Sequence, residues 1–136
     1  MSRARTMHLM ALKQTIALQA YRREANRLFE EIARLDARIA QISELDRGYR
    51  EQLTVPNLHV TEYRDVLQII GKLRERSEID KARNEILGVE RIRLRKILTE
   101  KQRHIETLEE SAKEAENQER RERDERLARL APARRS

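Results

Sequence analysis

The sequence has no cysteine and no tryptophan, and only three glycines, two prolines, three tyrosines and one phenylalanine among its 136 residues. Without cysteine, a disulfide-stapled module, a thiolate metal site and a cysteine nucleophile are excluded. The shortage of glycine and proline argues against sandwiches, barrels and doubly wound sheets, which need many turns. What the sequence does contain is charge, at 40% of residues with a formal net charge of +6. A composition dominated by Ala, Glu, Lys, Leu and Arg predicts long helices.

Long apolar runs are also missing. The N-terminal apolar stretch from Met7 to Leu12 is interrupted by His8 and ended by Lys13. It is too short for the core of a signal peptide, and no other stretch reaches the roughly 18 apolar residues that a membrane span needs. The sequence therefore predicts a cytoplasmic protein without membrane insertion.

A regular apolar pattern predicts the first helix, over about residues 3–52. From Leu18 the apolar residues are spaced alternately by three and four positions, which is the a/d pattern of a coiled coil. The members of this row are Leu18, Tyr21, Ala25, Leu28, Ile32, Leu35, Ile39 and Ile42. We call such a row, which faces a partner helix, a seam. Asp46 occupies the next seam position, and Tyr49 and Leu53 resume the pattern.

A turn is predicted over about residues 53–61. Pro56 removes a backbone donor and favours an extended conformation at Val55, so the first helix should end near Gln52. Thr61 is the expected N-cap of a second helix over about residues 62–130, followed by a tail of residues 131–136. At 1.5 Å per residue the two helices would be about 75 and 105 Å long. In an antiparallel hairpin the second helix should therefore extend beyond the end of the first from about residue 111.

The second helix has a less regular pattern. We expect its apolar face to consist of three stretches whose phase slips between them, with spacings of 11 that straighten a supercoil locally. These stretches are Tyr63, Val66, Ile70 and Leu73; Ile79, Ala82, Ile86 and Val89; and Leu94, Leu98, Ile105, Leu108, Ala112 and Ala115. The seam fades where the first helix would end. The fold prediction is thus all-α: one domain over residues 1–136, an antiparallel two-helix coiled-coil hairpin with a long charged C-terminal extension.

The inventory of side chains argues against catalysis. His8, His59 and His104 are far apart and belong to no metal-binding spacing, and the glycines form no phosphate-binding loop. Two paired helices also offer no cleft in which carboxylates could be buried together. We therefore assign no catalytic residue, no metal site and no cofactor.

Three groups of side chains are candidate partner-binding surfaces. The open-end residues, at the end of the hairpin away from the turn, surround much of the first helix with apolar side chains: Met7, Leu9, Met10, Leu12 and Ile16. The tip residues give the second helix a wider apolar face than one seam requires and gather two of the tyrosines: Tyr49, Tyr63, Leu67, Ile69 and Ile70. The basic cluster has few acidic residues within it: Arg91, Arg93, Arg95, Lys96 and Arg103.

Each group also has a simpler interpretation. The tip residues could staple the turn, and the open-end residues could fray or self-associate. The basic cluster could be a solvated face balanced by acidic residues of the first helix. Nucleic-acid binding is weakly supported, because no aromatic residues are interleaved with the basic ones to stack on bases.

The whole arrangement resembles the FliJ/YscO family of flagellar and type III secretion export stalk proteins. The resemblance rests on the opening Leu9-Met10-Ala11-Leu12-Lys13, which continues through Tyr21-Arg22-Arg23-Glu24-Ala25 into a leucine/isoleucine heptad. It also rests on the chain length, the proline-containing turn, and a longer second helix with a charged end. The extra length and the arginine-rich C-terminus depart from shorter members.

Membership would imply a coiled coil similar to the central stalk of rotary ATPases. Such proteins insert their terminal end into the hexameric export ATPase, contact the membrane protein of the export gate and also hold export chaperones. The resemblance implies a cytoplasmic location, peripheral to the export apparatus of the inner membrane. The alternatives are a coiled-coil scaffold that forms dimers or hetero-complexes and, behind it, a basic coiled coil that coats nucleic acid.

Overall fold

Two helices make up almost all of the protein. The computed structural model describes residues 2–130, in which α1 spans Arg3–Gln52 and α2 spans Val60–Leu130, and this part of the chain contains no strand. The helices pack against each other as a two-helix hairpin, so the predicted all-helical fold is confirmed. The predicted tail, residues 131–136, lies outside the described residues.

Local hydrogen bonds explain where each helix begins and ends. Ser2 caps α1, because its Oγ accepts from the backbone N–H of Arg5 at 3.1 Å. After Gln52 the hydrogen bonds join residues three positions apart, since the N–H of Leu53 donates to the carbonyl of Arg50 at 3.2 Å. Pro56 follows, and Asn57 has a left-handed φ of 67°. Asparagine tolerates this backbone conformation better than most residues.

The second helix starts earlier than predicted. The N–H of Tyr63 donates to the carbonyl of His59 at 2.9 Å, and the N–H of Thr61 donates to His59 Nδ1 at 3.3 Å. His59 therefore occupies the capping position, and the prediction that Thr61 caps the helix is wrong. A histidine ring nitrogen supplies the acceptor that a hydroxyl was expected to supply.

The chain divides into two compact units, which we describe separately. The turn unit is Glu24–Leu94, and the terminal unit combines the described residues up to Arg23 with those from Arg95 onward. Cross-helix contacts run antiparallel within each unit. In the turn unit Arg38 contacts Asp80 and Glu31 contacts Arg83, whereas in the terminal unit His8 contacts Glu116 and Gln14 contacts Lys101.

The terminal unit has an alanine-rich core. Small side chains are buried on both helices, together with a few larger ones: Ala4, Ala11, Leu18, Ile105, Leu108, Ala112 and Ala115. Ala112 is fully buried. From Arg120 to Leu130 every residue of α2 is exposed, so the seam ends close to where the sequence predicted.

The turn unit confirms the predicted seam of α1. Leu35 and Ile42 are buried, and the seam residues Ala25, Leu28, Ile32, Ile39, Asp46 and Tyr49 are half-buried. Each of them faces α2 at the three-and-four spacing on which the prediction depended.

In the turn unit the prediction for α2 is wrong in its middle stretch. Apart from Gly88 and Glu90, which are also half-buried, the buried and half-buried positions keep a regular spacing of three and four, without the expected slip: Val66, Ile70, Leu73, Ser77, Asp80, Asn84 and Leu87, with Leu94 one heptad further on. Ile79, Ala82, Ile86 and Val89, which were expected to form the seam, are exposed. The seam thus contains three polar residues in succession, and an apolar row lies outside it.

Candidate interaction surfaces

The open-end residues lie on α1 in the terminal unit. Leu9, Met10, Leu12 and Ile16 are exposed, whereas Met7 is half-buried. Leu9, Leu12 and Ile16 have helical spacing and, at about 100° per residue, lie on the side of α1 opposite the buried Ala11. They form a narrow aliphatic row with no cover in this unit.

The tip residues are divided by the structure. Tyr63, Leu67 and Ile69 are exposed, Tyr49 is half-buried, and Ile70 is buried at 7% exposure. Ile70 packs in the seam between the helices, so its inclusion in a contact surface is corrected. The apolar tip surface that remains is Tyr63, Leu67 and Ile69.

The basic cluster belongs to both units. Its five residues are all exposed, as predicted for a solvated face. In the turn unit, the Arg91 guanidinium lies 5.7 Å from the centre of the Phe29 ring, and Arg93 pairs with Glu90 at 3.1 Å. The nearest acidic partner therefore comes from the same helix and not from α1. In the terminal unit, Arg95, Lys96 and Arg103 line a shallow depression.

The sequence pattern did not predict an ion pair in the turn unit between the buried Asp80 and the exposed Arg38. Asp80 is only 1% exposed, and its carboxylate accepts hydrogen bonds from Arg38 Nε and Nη2, each at 2.7 Å. Arg76 approaches the same carboxylate at 3.5 Å. These bonds outweigh the effect of burial and lower the pKa of Asp80, so the side chain is held in its charged form.

Further polar contacts surround this pair. Asn84 Nδ2 donates to Asp36 at 2.6 Å, and Arg83 pairs with Glu31 at 3.2 Å. The signal that could have located this layer is the leucine heptad Leu73, Leu87 and Leu94, in which Asp80 takes the one missing position.

The second feature is an exposed apolar row, whose residues the sequence pattern had assigned to the seam. We call Ile79, Ala82, Ile86 and Val89 the α2 stripe. Its three large side chains are 59%, 57% and 68% exposed. Helical spacing of three and four places them on one face of α2, away from Asp80 and Leu87 in the seam. An exposed row of this kind is typical of a surface that another helix covers.

No three side chains of histidine, aspartate or glutamate in residues 2–130 are placed to hold a metal ion. Neither described helix contains a segment apolar enough, over 18 residues, to cross a bilayer.

The fold and the exposed rows define a two-helix hairpin with several separate apolar surfaces. No protein-family model, curated protein or solved structure matches the chain. Function is therefore argued from the surfaces themselves.

Proposed function

We propose that the protein is a non-enzymatic stalk or adaptor of a flagellar or type III protein export apparatus. In this role it binds the hexameric export ATPase through its open-end residues and the membrane protein of the export gate through its tip, and export chaperones are further partners. It works in the cytoplasm, peripheral to the inner-membrane apparatus. The two-helix hairpin is the fold that the resemblance implies.

The observation that carries the proposal is the exposed row of Leu9, Leu12 and Ile16, with exposures of 48%, 56% and 59%. Burying one such side chain in a partner contributes about 1.5–3 kcal/mol. Within the terminal unit, α1 is already anchored through Ala4, Ala11 and Leu18 on its other face. The row is thus available to a partner without disrupting the hairpin.

The tip supports a second contact of the same kind. Leu67 and Ile69 are exposed at 44% and 36%, close in sequence to the turn, whereas Ile70 is buried. A substitution that tests gate binding should therefore be made at Leu67. The variant Ile70→Asp would instead place a charge in the seam and test folding.

The deciding experiment measures binding to a purified hexameric export ATPase and the stimulation of its ATP hydrolysis. We expect the wild-type chain to associate, and the double variant Leu9→Asp and Leu12→Asp to bind at least about tenfold more weakly, because two aliphatic contacts are lost. Far-UV circular dichroism should be unchanged, since both side chains are exposed.

Leu45→Asp is the matched control, because Leu45 is 49% exposed on the same helix but belongs to the turn unit. It should bind like the wild type. The proposal would be refuted by a correctly folded chain that neither associates with the ATPase nor stimulates its ATP hydrolysis. Equal losses for the control and the double variant would show that the open-end residues are not the contact.

The second candidate function is a coiled-coil scaffold that forms dimers or hetero-complexes. The exposed α2 stripe favours it, because an a/d row is the surface that coiled coils use to associate. Sedimentation at micromolar concentration separates the two functions. A monomer supports the stalk, and a stable dimer supports the scaffold.

A further inference from the structure

The α2 stripe is a second coiled-coil surface on α2, whose first such surface, the seam, packs against α1. Ile79, Ala82, Ile86 and Val89 have the spacing of three, four and three that the seam of the same helix has, but they are exposed. Apolar residues repeating every 3.5 positions fit the surface of another helix better than a flat or irregular partner. The pattern therefore points to a helical occupant.

The border of the stripe gives the charge of that occupant. Glu78 and Glu85 flank the stripe on one side, Glu75 continues the row at its N-terminal end, and none of the three forms an ion pair within residues 2–130. We call these three carboxylates the acidic border.

Other charges near the stripe already have partners. Arg76 pairs with Asp80, Arg83 pairs with Glu31, and Glu90 pairs with Arg93. These pairs leave Glu75, Glu78 and Glu85 as the free carboxylates at the stripe. Of the lysines nearby that form no ion pair within residues 2–130, Lys72 lies before the N-terminal end of the stripe, and helical spacing places Lys81 on the far side of Glu78 and Glu85. Electrostatic complementarity then requires a partner with basic flanks.

A second copy of the chain fits this border poorly. If two α2 helices aligned in parallel through their stripes, Glu85 of one would face Glu90 of the other, and Glu78 would face Arg83. If they aligned antiparallel with all four stripe positions paired, Glu85 would face Glu85 and Arg83 would face Arg83. In that alignment Arg76 would face Glu90. Neither alignment places a basic residue opposite both Glu78 and Glu85, as a partner with basic flanks would do.

We propose that the α2 stripe binds one helix of another protein, whose aliphatic residues repeat every three and four positions and whose flanks carry lysine or arginine. The stripe and its acidic border lie entirely in the turn unit. The proposal therefore stands independently of the ATPase contact through the open-end residues.

Two synthetic peptides of three heptads test it against the full chain. Both carry isoleucine and leucine at positions a and d; one has lysine at e and g, and the other has glutamate there. We expect the lysine peptide to bind by fluorescence anisotropy, more weakly as salt rises, and at least about tenfold more tightly than the glutamate peptide. Equal binding of both peptides, or of neither, would overturn the proposal.

Variants then locate the site. Ile79→Ser with Ile86→Ser should weaken binding of the lysine peptide at least about tenfold. Leu127→Ser is the matched control, because Leu127 is 58% exposed on the same helix but belongs to the terminal unit. It should bind like the wild type, and a loss as large as that of the double variant would contradict the assignment.

Reversing the border tests the charge. Glu78→Lys with Glu85→Lys should shift the preference from the lysine peptide to the glutamate peptide, whereas Glu30→Lys on α1 should not. Sedimentation of the wild-type chain tests whether a second copy of the chain covers the stripe instead. A dimer that the Ile79→Ser and Ile86→Ser changes dissociate would show that a second copy covers the stripe, and would overturn the proposal.

Discussion

Asp80 is a charged residue at a position where the sequence pattern asks for leucine. The carboxylate is stabilised there because Arg38 donates two hydrogen bonds in a fork and Arg76 adds a further positive charge. Such a pair does little for stability compared with well-packed apolar residues, but it costs much to break. The pair favours one register of α1 against α2, because only that register brings Arg38 to Asp80.

Asp80→Asn should lower the melting temperature at pH 7, and the difference from the wild type should narrow in acid. The pKa of Asp80 is lowered in the folded state, so its stabilising effect is complete above the unfolded value of about 3.9. This effect is lost as the pH falls below that value and through the folded pKa. Thermal unfolding between pH 7 and about pH 2.5 measures the difference in melting temperature between the wild type and Asp80→Asn.

Glu44→Gln is the control, since Glu44 pairs with Arg47 and both side chains are well exposed. Surface pairs of this kind contribute little. Two results would show that the Arg38–Asp80 pair does not stabilise the folded state. One is a drop in melting temperature for Asp80→Asn no larger than that for Glu44→Gln. The other is a difference in melting temperature between Asp80→Asn and the wild type that stays constant at low pH.

The two helices differ in how much their sequences reveal. In α1 the seam from Leu18 to Ile42 is apolar or alanine at every position, so counting apolar residues finds the right face. In α2 the seam includes Ser77, Asp80 and Asn84, whereas the α2 stripe is apolar throughout. Counting therefore selects the exposed face. The pairing with Arg38 and Asp36 on α1 stabilises the polar face in the seam. Within α2, the pointer to that face is the leucine heptad that Asp80 interrupts.

Gly88 gives a prediction at the level of the helix. It lies inside α2, and a Cβ added there would meet no atom within 4 Å. Gly88→Ala should therefore raise the free energy of unfolding by about 0.5–1 kcal/mol, because alanine loses less backbone entropy in a helix. Urea unfolding followed by circular dichroism measures the change. The reverse substitution at an exposed site, Ala82→Gly, should lower the stability by a similar amount, and a destabilised Gly88→Ala would show that the space is not free.

For the whole chain, the question is how much of α2 the hairpin needs. Every residue from Arg120 to Leu130 is exposed, whereas Ala115 is buried and Glu116 contacts His8. The charged extension is thus a helix without a packing partner in the described part of the chain. Alternating acidic and basic residues, such as Glu122 and Arg126, can support such a helix locally.

A chain truncated after Arg120 should keep its melting temperature to within about 2 °C, because none of the removed residues that the structure describes, 121–130, is buried. A chain truncated after Glu114 loses Ala115 and should melt at a lower temperature. Differential scanning calorimetry compares the three chains. A large drop for the first truncation would mean that residues beyond Arg120 stabilise the hairpin.

The alanines buried in the terminal unit have a consequence for how this end of the hairpin opens. Ala4, Ala11, Ala112 and Ala115 bury only a methyl group each, and every missing methylene forgoes about 0.8 kcal/mol of apolar burial. This small buried apolar area lowers the free energy that fraying of this end requires. The first turns of α1 can therefore separate from α2 and close again while Leu18, Ile105 and Leu108 stay packed, which leaves Leu9 and Leu12 on a segment able to adjust to whatever it meets.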